Sequence, residues 1–346
     1  MILLQIGLFL SYTSNVKSSV KFISYLRIVA AFSIILIHVA SKLSPFYEQL
    51  PRAQWWAANI ISSASHWAMP IFIMISGYLL LNPTKSNQTK KFYLQRIKRI
   101  GWPLFFWIIV YAFYNHFARH DPLTFDFVTK RFIFDQPYEH LYFLVVLIEL
   151  ALITPFLSKI INSISTRSLG WLTITFLFIS VFWKPSRFIV PLFIPYIGYY
   201  LGAYWLKKRK FQLKSLYFWI STLVIIALMA IGTYLLFVHP LPNRDSLYFY
   251  TFFNPLIILL SFQIFIFLQN KEKSLVINKY INQISKTTFI VYLFHPILVS
   301  SLHLTKLSSN FIPTILLIMI EAILVFIISI AVATLYQWLI AKKNKQ

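Results

Sequence analysis

Apolar positions along the chain gather into ten blocks, at 23–42, 57–81, 101–118, 140–158, 169–184, 188–206, 215–238, 251–269, 285–304 and 313–341, bounded by charged or Pro/Asn-rich stretches. A helix of about 20 mainly apolar residues crosses a hydrocarbon core of about 30 Å, so the pattern predicts an all-α, polytopic bundle of about ten spans. The fifth block is short, and the pair flanking Lys184 to Arg187 reads either as two crossings or as a re-entrant hairpin. No internal repeat is visible, and no stretch between blocks is long enough for a separate soluble domain. The pattern therefore divides the chain into a leader at 1–22, a transmembrane domain at 23–341 and a basic tail at 342–346. The leader carries no basic residue before Lys17, which argues against a secretory signal and for an interfacial or disordered segment, or an upstream start-site artefact.

Polar residues inside the apolar blocks alter this picture. In the first block, "YLRIVAAFSIILIHVA", Arg27 and His38 are eleven residues apart. At about 100° per residue they share one helix face, and at about 1.5 Å per residue they lie roughly 16 Å apart, about half the hydrocarbon thickness. Arg27 also fits a snorkelling anchor near the membrane surface. His38, deeper in the block, faces a cavity or a partner, or is a neutral imidazole bonded to a neighbouring helix. His295, in "FIVYLFHPILV", falls at a similar depth, and Pro296 after it should kink its helix and free a carbonyl. Glu149 and Glu321 are mid-block, and each must pair with a cation or histidine or stay protonated. His66 belongs to the same class of intramembrane groups without an evident partner.

Charge fixes an orientation. The chain of 346 residues has 32 Lys+Arg against 9 Asp+Glu, a formal charge of +23, with 58% hydrophobic residues. In a soluble protein such an excess would point to nucleic acid. Here most of the basic residues fall between alternate blocks, at 17–27, 85–99, 159–167, 207–214, 271–286 and 342–345, which places both termini in the cytoplasm and explains the charge without nucleic acid. The absence of cysteine excludes disulfides, thiolate metal sites and cysteine nucleophiles.

The second block ends in Ser76, Gly77 and Tyr78, and the third opens with Arg96, Lys98 and Arg99. Arg96 and Arg99 would be helical neighbours forming one anion fork, and three cations at a helix entrance gain from its N-terminus, although positive-inside topology also explains a basic cluster. His116 and Asp121, in "HFARHD", have the spacing of the His-x4-Asp pair of glycerolipid acyltransferases, but the orientation puts them at the outer face, away from a cytoplasmic donor. Trp55, Trp56 and Tyr248 to Tyr250 would stack on sugar rings, but an interfacial aromatic belt explains them better.

Taken in order, "LRIVAAFSIILIHV", "MPIFIMISGYLL", "RIKR", "HLYFLVVLIELALITPFL" and "FIVYLFHPILV" resemble the integral-membrane acyltransferase-3 family, bacterial enzymes that O-acylate cell-surface glycans. The usual Trp of the fourth-block motif appears as Tyr142. The resemblance implies an enzyme of the bacterial cytoplasmic membrane that takes acetyl or another short acyl group from coenzyme A and delivers it to a hydroxyl of a polysaccharide or lipid-linked sugar. By position it implies roles for Arg27 and His38 of the first span, for Arg96 and Arg99, and for the His295 motif. The resemblance also implies that this chain, without the extracellular esterase-like domain fused to some members, would complete transfer in the membrane or hand the acyl group to a partner.

The residues fit that scheme. Arg96, Arg99, the adjacent Lys98 and Arg27 suit the phosphates of acyl-coenzyme A, and no metal is required. His38 suits a general base or transient acyl acceptor, with Glu149 or Glu321 orienting an imidazole and Ser76 and Tyr78 shaping the cavity or an oxyanion site. A proton-coupled transporter or polysaccharide exporter would also carry intramembrane His and Glu and Pro-broken helices. The lack of repeat symmetry and the single Arg-x-x-Arg entrance favour a fixed donor site. The other membrane-bound O-acyltransferase class also uses an intramembrane histidine, but Arg-x-x-Arg is not its signature.

Overall fold

The computed structural model describes residues 20–81, 89–124, 126–128, 130, 140–183, 192–242 and 244–343, with side chains to 339 at the last helix. The expected leader lies outside the described residues up to 19, as do 344–346 of the tail and the hairpin question around 184–191. All regular structure among the described residues is helical. The principal helices are α1 (Lys21–Ala40), α2 (Arg52–Ser65), α3 (Ala68–Leu80), α4 (Thr89–Arg96), α5 (Trp102–Arg119), α6 (Tyr142–Ser163), α7 (Thr166–Val181), α8 (Ile197–Lys208), α9 (Ser215–Val238), α10 (Pro255–Asn270), α11 (Lys279–Ser301) and α12 (Phe311–Lys343).

Seven segments among the described residues are long and apolar enough to cross a membrane: Lys21–Ala40, Arg52–Leu80, Tyr142–Ser163, Ser215–Val238, Tyr248–Asn270, Lys279–Leu307 and Phe311–Leu339. The remaining predicted blocks correspond to α5, to the shorter apolar α7, and to α8 with the stretch before it. Large apolar side chains such as Leu223 on α9 and Ile327 on α12 stay exposed. That is what a lipid-facing surface requires, since lipid tails are as apolar as leucine.

The chain divides into two compact units. The first holds residues 17–72 and 210–338. Within it α1 packs on α2, α10 and α11, and α9 on α2 and α10. Its core joins Ile35 and Val39 of α1, Ala58 of α2, Val291 and Val299 of α11, and Ile318, Ala322 and Val325 of α12. Both ends of α1 are held by carboxylates distant in sequence. At the start, Glu272 accepts from the Lys21 N–H at 3.0 Å and the Phe22 N–H at 2.7 Å, filling two amides that a helix N-terminus leaves without intrahelical partners. Past the end, Lys42 Nζ meets Glu321 Oε1 at 2.5 Å and donates to the Leu302 carbonyl, while the Leu304 N–H donates to Glu321 Oε2 at 2.9 Å.

The second unit holds residues 73–209 and 339–346. In it α8 packs along α7, and α4 and a π-helical turn at Ile97–Gly101 pack on α6. Close backbone contact depends on Gly77, where a Cβ would stand 2.0 Å from the Tyr200 carbonyl oxygen. Nothing there can yield except the backbone of α8, so the Ser-Gly-Tyr run of α3 is a crossing point.

Candidate functional site

His38 lies in the last turn of α1, half-buried, and His295 lies in α11, fully buried. Because α1 packs lengthwise on α11, the two imidazoles meet, with ring centroids 5.0 Å apart at 52°. Tyr292, one turn before His295, stands 5.9 Å from its ring. The His295 Nδ1 faces the Val291 carbonyl at 3.2 Å. A carbonyl only accepts, so Nδ1 carries the proton and the basic lone pair of the neutral ring is on Nε2. Pro296 sits inside a helix that continues to Ser301, and its missing N–H leaves the Tyr292 carbonyl without that intrahelical donor.

His66 closes α2 in the same unit. Its Nδ1 donates to the Ser62 carbonyl at 2.7 Å, and its ring stacks on Tyr250 at 4.5 Å and 10°. Tyr250 in turn donates to Asn59 Oδ1 at 2.5 Å, and Asn59 Nδ2 donates to the Ala230 carbonyl at 2.9 Å. His38 and His66 are within electrostatic reach of each other. The unit therefore collects three of the chain's histidines around one polar seam, with phenol and amide groups beside them.

The two mid-span carboxylates have different surroundings. Glu321 is fully buried and engaged by Lys42 and the Leu304 N–H. Glu149, in the other unit, accepts from the Phe193 N–H at 2.8 Å through Oε2, and its Oε1 has no hydrogen-bond partner among the described residues. The sequence calls for a cation or histidine beside each acid, or a proton on it; the structure supplies a cation to Glu321 and a backbone amide to Glu149. Their expected role in orienting an imidazole rests on position in the sequence alone.

Arg96 ends α4, with its guanidinium 5.3 Å from the Phe92 ring, and Lys98 and Arg99 belong to the π-turn that follows. This corrects the expectation of a helix entrance. The backbone runs from α4 through the π-turn into α5, and the Trp102 N–H bonds the Ile97 carbonyl, so these amides are used within the helix rather than offered to an anion. The wider π-turn also rotates Arg99 away from the face it would share with Arg96 in a regular α-helix. Arg96 still acts electrostatically on buried Tyr200, whose hydroxyl bonds Thr154 at 2.7 Å. Tyr78, from the Ser-Gly-Tyr run, receives Lys207 Nζ on its carbonyl at 3.0 Å, with the same ammonium 4.7 Å from its ring centroid. Ser76 and Arg27 are half-buried on α3 and α1. His116 meets the backbone carbonyl of Asp121 at 2.8 Å, the geometry of a helix end.

Lys42 is the residue that sequence reasoning missed. It stands four positions after His38, just past the end of α1, at the last position of the first block. A lone lysine at a span boundary reads as an interfacial anchor, and only the fold brings Glu321 to it. No group of three His, Asp or Glu residues among the described residues is placed to hold a metal.

Apolar helices of spanning length, with ionisable side chains gathered inside them, define a multi-pass membrane protein. The chain belongs to acyltransferase family 3: the family's acyltransferase-domain model matches residues 20–338, nearly the whole described chain. It is thus an enzyme that transfers acyl groups from a donor to an acceptor. No curated protein and no solved structure matches it.

Proposed function

We propose that this enzyme transfers acetyl or another short acyl group from coenzyme A to a hydroxyl of a cell-surface polysaccharide or its lipid-linked precursor. In this reading it works in a bacterial cytoplasmic membrane, with about ten spans, both termini cytoplasmic and residues 23–341 as the working domain. The observation that carries the reading is the imidazole pair of His38 and His295, 5.0 Å apart within an apolar bundle. An imidazole has a basic nitrogen near neutral pH and, unlike a carboxylate, can be buried without charge.

In the transfer, the thioester carbon–sulfur bond breaks and an ester carbon–oxygen bond forms. His38 takes the proton of the acceptor hydroxyl as its oxygen attacks, and that proton finally resides on the departing thiol. His295 holds His38 in place from α11, and Tyr292 borders the pair. Donor anchoring is a separate part of the proposal. Arg96 and Arg99, with Lys98, take the phosphates of coenzyme A, because guanidinium groups bind two phosphate oxygens at once. The phosphates would be held by side chains alone, since the local amides are internally bonded.

The test is purified protein in liposomes with radiolabelled acetyl-coenzyme A and an envelope glycan fraction. Label is expected on the glycan, and His38→Ala should abolish transfer while leaving donor binding. Arg96→Ala should weaken donor binding and flatten its salt dependence, as loss of one screened charge requires. Absence of label transfer by the unaltered protein, or equal loss of donor binding in both variants, would overturn the reading.

A further inference from the structure

Outside the histidine seam, the same unit has a shallow cavity of about 450 Å³ lined by Pro51, Gln54, Lys306, Ser308, Ser309 and Asn310, with Leu307 beside them. We propose that this cavity binds a sugar bearing a negative charge and is the acceptor subsite of the transfer reaction. The proposal rests on the acyl-transfer reading above.

Its lining and size support it. Apart from Pro51 and Leu307, the lining is amide, hydroxyl and one ammonium, with no carboxylate among the lining residues. Amides and hydroxyls both donate and accept, which matches sugar hydroxyls, and a lysine is a point charge suited to a carboxylate or phosphate. The volume lies within the range of about 300–1,000 Å³ typical of small-ligand sites.

The cavity is also preformed. Gln54 is 6% exposed, and its Nε2 donates to the Thr305 and Ser308 carbonyls at 3.1 Å each, pinning the 304–310 segment onto α2. An ordered loop loses less entropy on binding than a loose one.

Its placement gives it a role. The turn just before that segment supplies the Leu302 carbonyl to Lys42, the segment's first residue donates the Leu304 N–H to Glu321, and Lys42 follows His38 by four residues, just past the end of α1. Thus α1 and α11 end where α2 and α12 begin, and the cavity lies at that end of the unit, the end toward which α1 carries His38 in its last turn. In the proposed orientation this is the outer end, where a glycan is presented. Lys42 and Glu321 give the loop and the helix of His38 a common anchor.

The chain has no cysteine, so a single introduced thiol reports on the cavity without background. Asn310→Cys in the full chain, reconstituted in nanodiscs, is labelled with a membrane-impermeant maleimide while trigalacturonate, glucose 6-phosphate or maltotriose is added. At twice the Kd of a bound probe, labelling should slow about threefold, as simple occupancy requires. Slowing is expected with either anionic probe and not with maltotriose, and Lys306→Gln should remove it. A carboxylate preference over phosphate, or the reverse, would identify the anionic group. No protection by either anionic probe, equal protection by maltotriose, or protection that survives Lys306→Gln would overturn the proposal. His38→Ala should leave protection intact, so failure of the subsite and failure of the acyl-transfer reading are read separately.

Discussion

Glu321 and Glu149 look alike in the sequence, each a lone acid in the middle of an apolar block, yet the two regions that hold them differ. Around Glu321 both oxygens are filled, one by the Lys42 ammonium and one by the Leu304 N–H, at a fully buried position. Around Glu149 one oxygen takes the Phe193 N–H, and the other has no hydrogen-bond partner among the described residues. Filled oxygens make Glu321 a structural clasp across α1, α11 and α12. At Glu149 the second acceptor is buried and unfilled among the described residues. The two acids thus pose a testable distinction between an acid that holds the fold and one whose spare acceptor is used in the reaction.

Isosteric replacement tests the distinction, because glutamine keeps the shape and one acceptor while removing the charge. The largest loss of stability is expected for Glu321→Gln, which leaves the Lys42 ammonium without its counter-charge beside a buried site. Breaking one side of a buried pair costs about 3–5 kcal/mol. The measure is the thermal midpoint in detergent. The double variant Lys42→Met/Glu321→Leu should lose clearly less than the two single changes together, since no charge is left stranded. Additive losses would show that the two residues act independently and would remove the clasp from the comparison.

How far the sequence foretells this contrast can be followed residue by residue. Block length and hydropathy give the helices, because the bilayer imposes one length on every span. Counting residues places His38 and His295 at similar depth, but their contact depends on α1 lying along α11, which no local pattern records. The need for a partner at Glu321 follows from the cost of a buried charge, whereas Lys42, 279 positions away, is found only by folding. At Glu149 the partner is a backbone amide of Phe193, and a backbone group leaves no signature in side-chain identities. The π-turn at Ile97–Gly101 is equally silent, since "RIKRIG" has the composition of an ordinary basic helix. Gly77 was visible within a motif, but its reason is the Tyr200 carbonyl that crosses it.

Glu149→Gln should behave in the opposite way. The amide oxygen still accepts from the Phe193 N–H, so the thermal midpoint should barely move, whereas Glu149→Leu leaves that N–H unfilled and should cost about 1–3 kcal/mol. Acyl transfer should nevertheless fall about tenfold or more in Glu149→Gln if the open oxygen handles a proton. A fall in kcat at unchanged KM and unchanged stability would sharpen the contrast with Glu321. Full transfer in Glu149→Gln would reduce Glu149 to a backbone anchor and leave both acids structural.

The smallest effect is expected at a third acid that shares one property with Glu321 and lacks another. Glu272 has both oxygens filled, by the Lys21 and Phe22 N–H groups, but it is half-exposed and paired with helix amides rather than with an ammonium. Glu272→Gln retains one of the two acceptors and loses the favourable charge at the start of α1, a cost of about 0.5–1 kcal/mol. Salt should shrink that cost further, because the site is within reach of screening ions, and should leave the cost of Glu321→Gln nearly unchanged. Thermal midpoints of both variants at low and high salt make the comparison. Equal costs would mean that filled oxygens alone set the value of these acids; a large, salt-insensitive cost confined to Glu321 would assign it to burial of the ion pair beside the histidine seam.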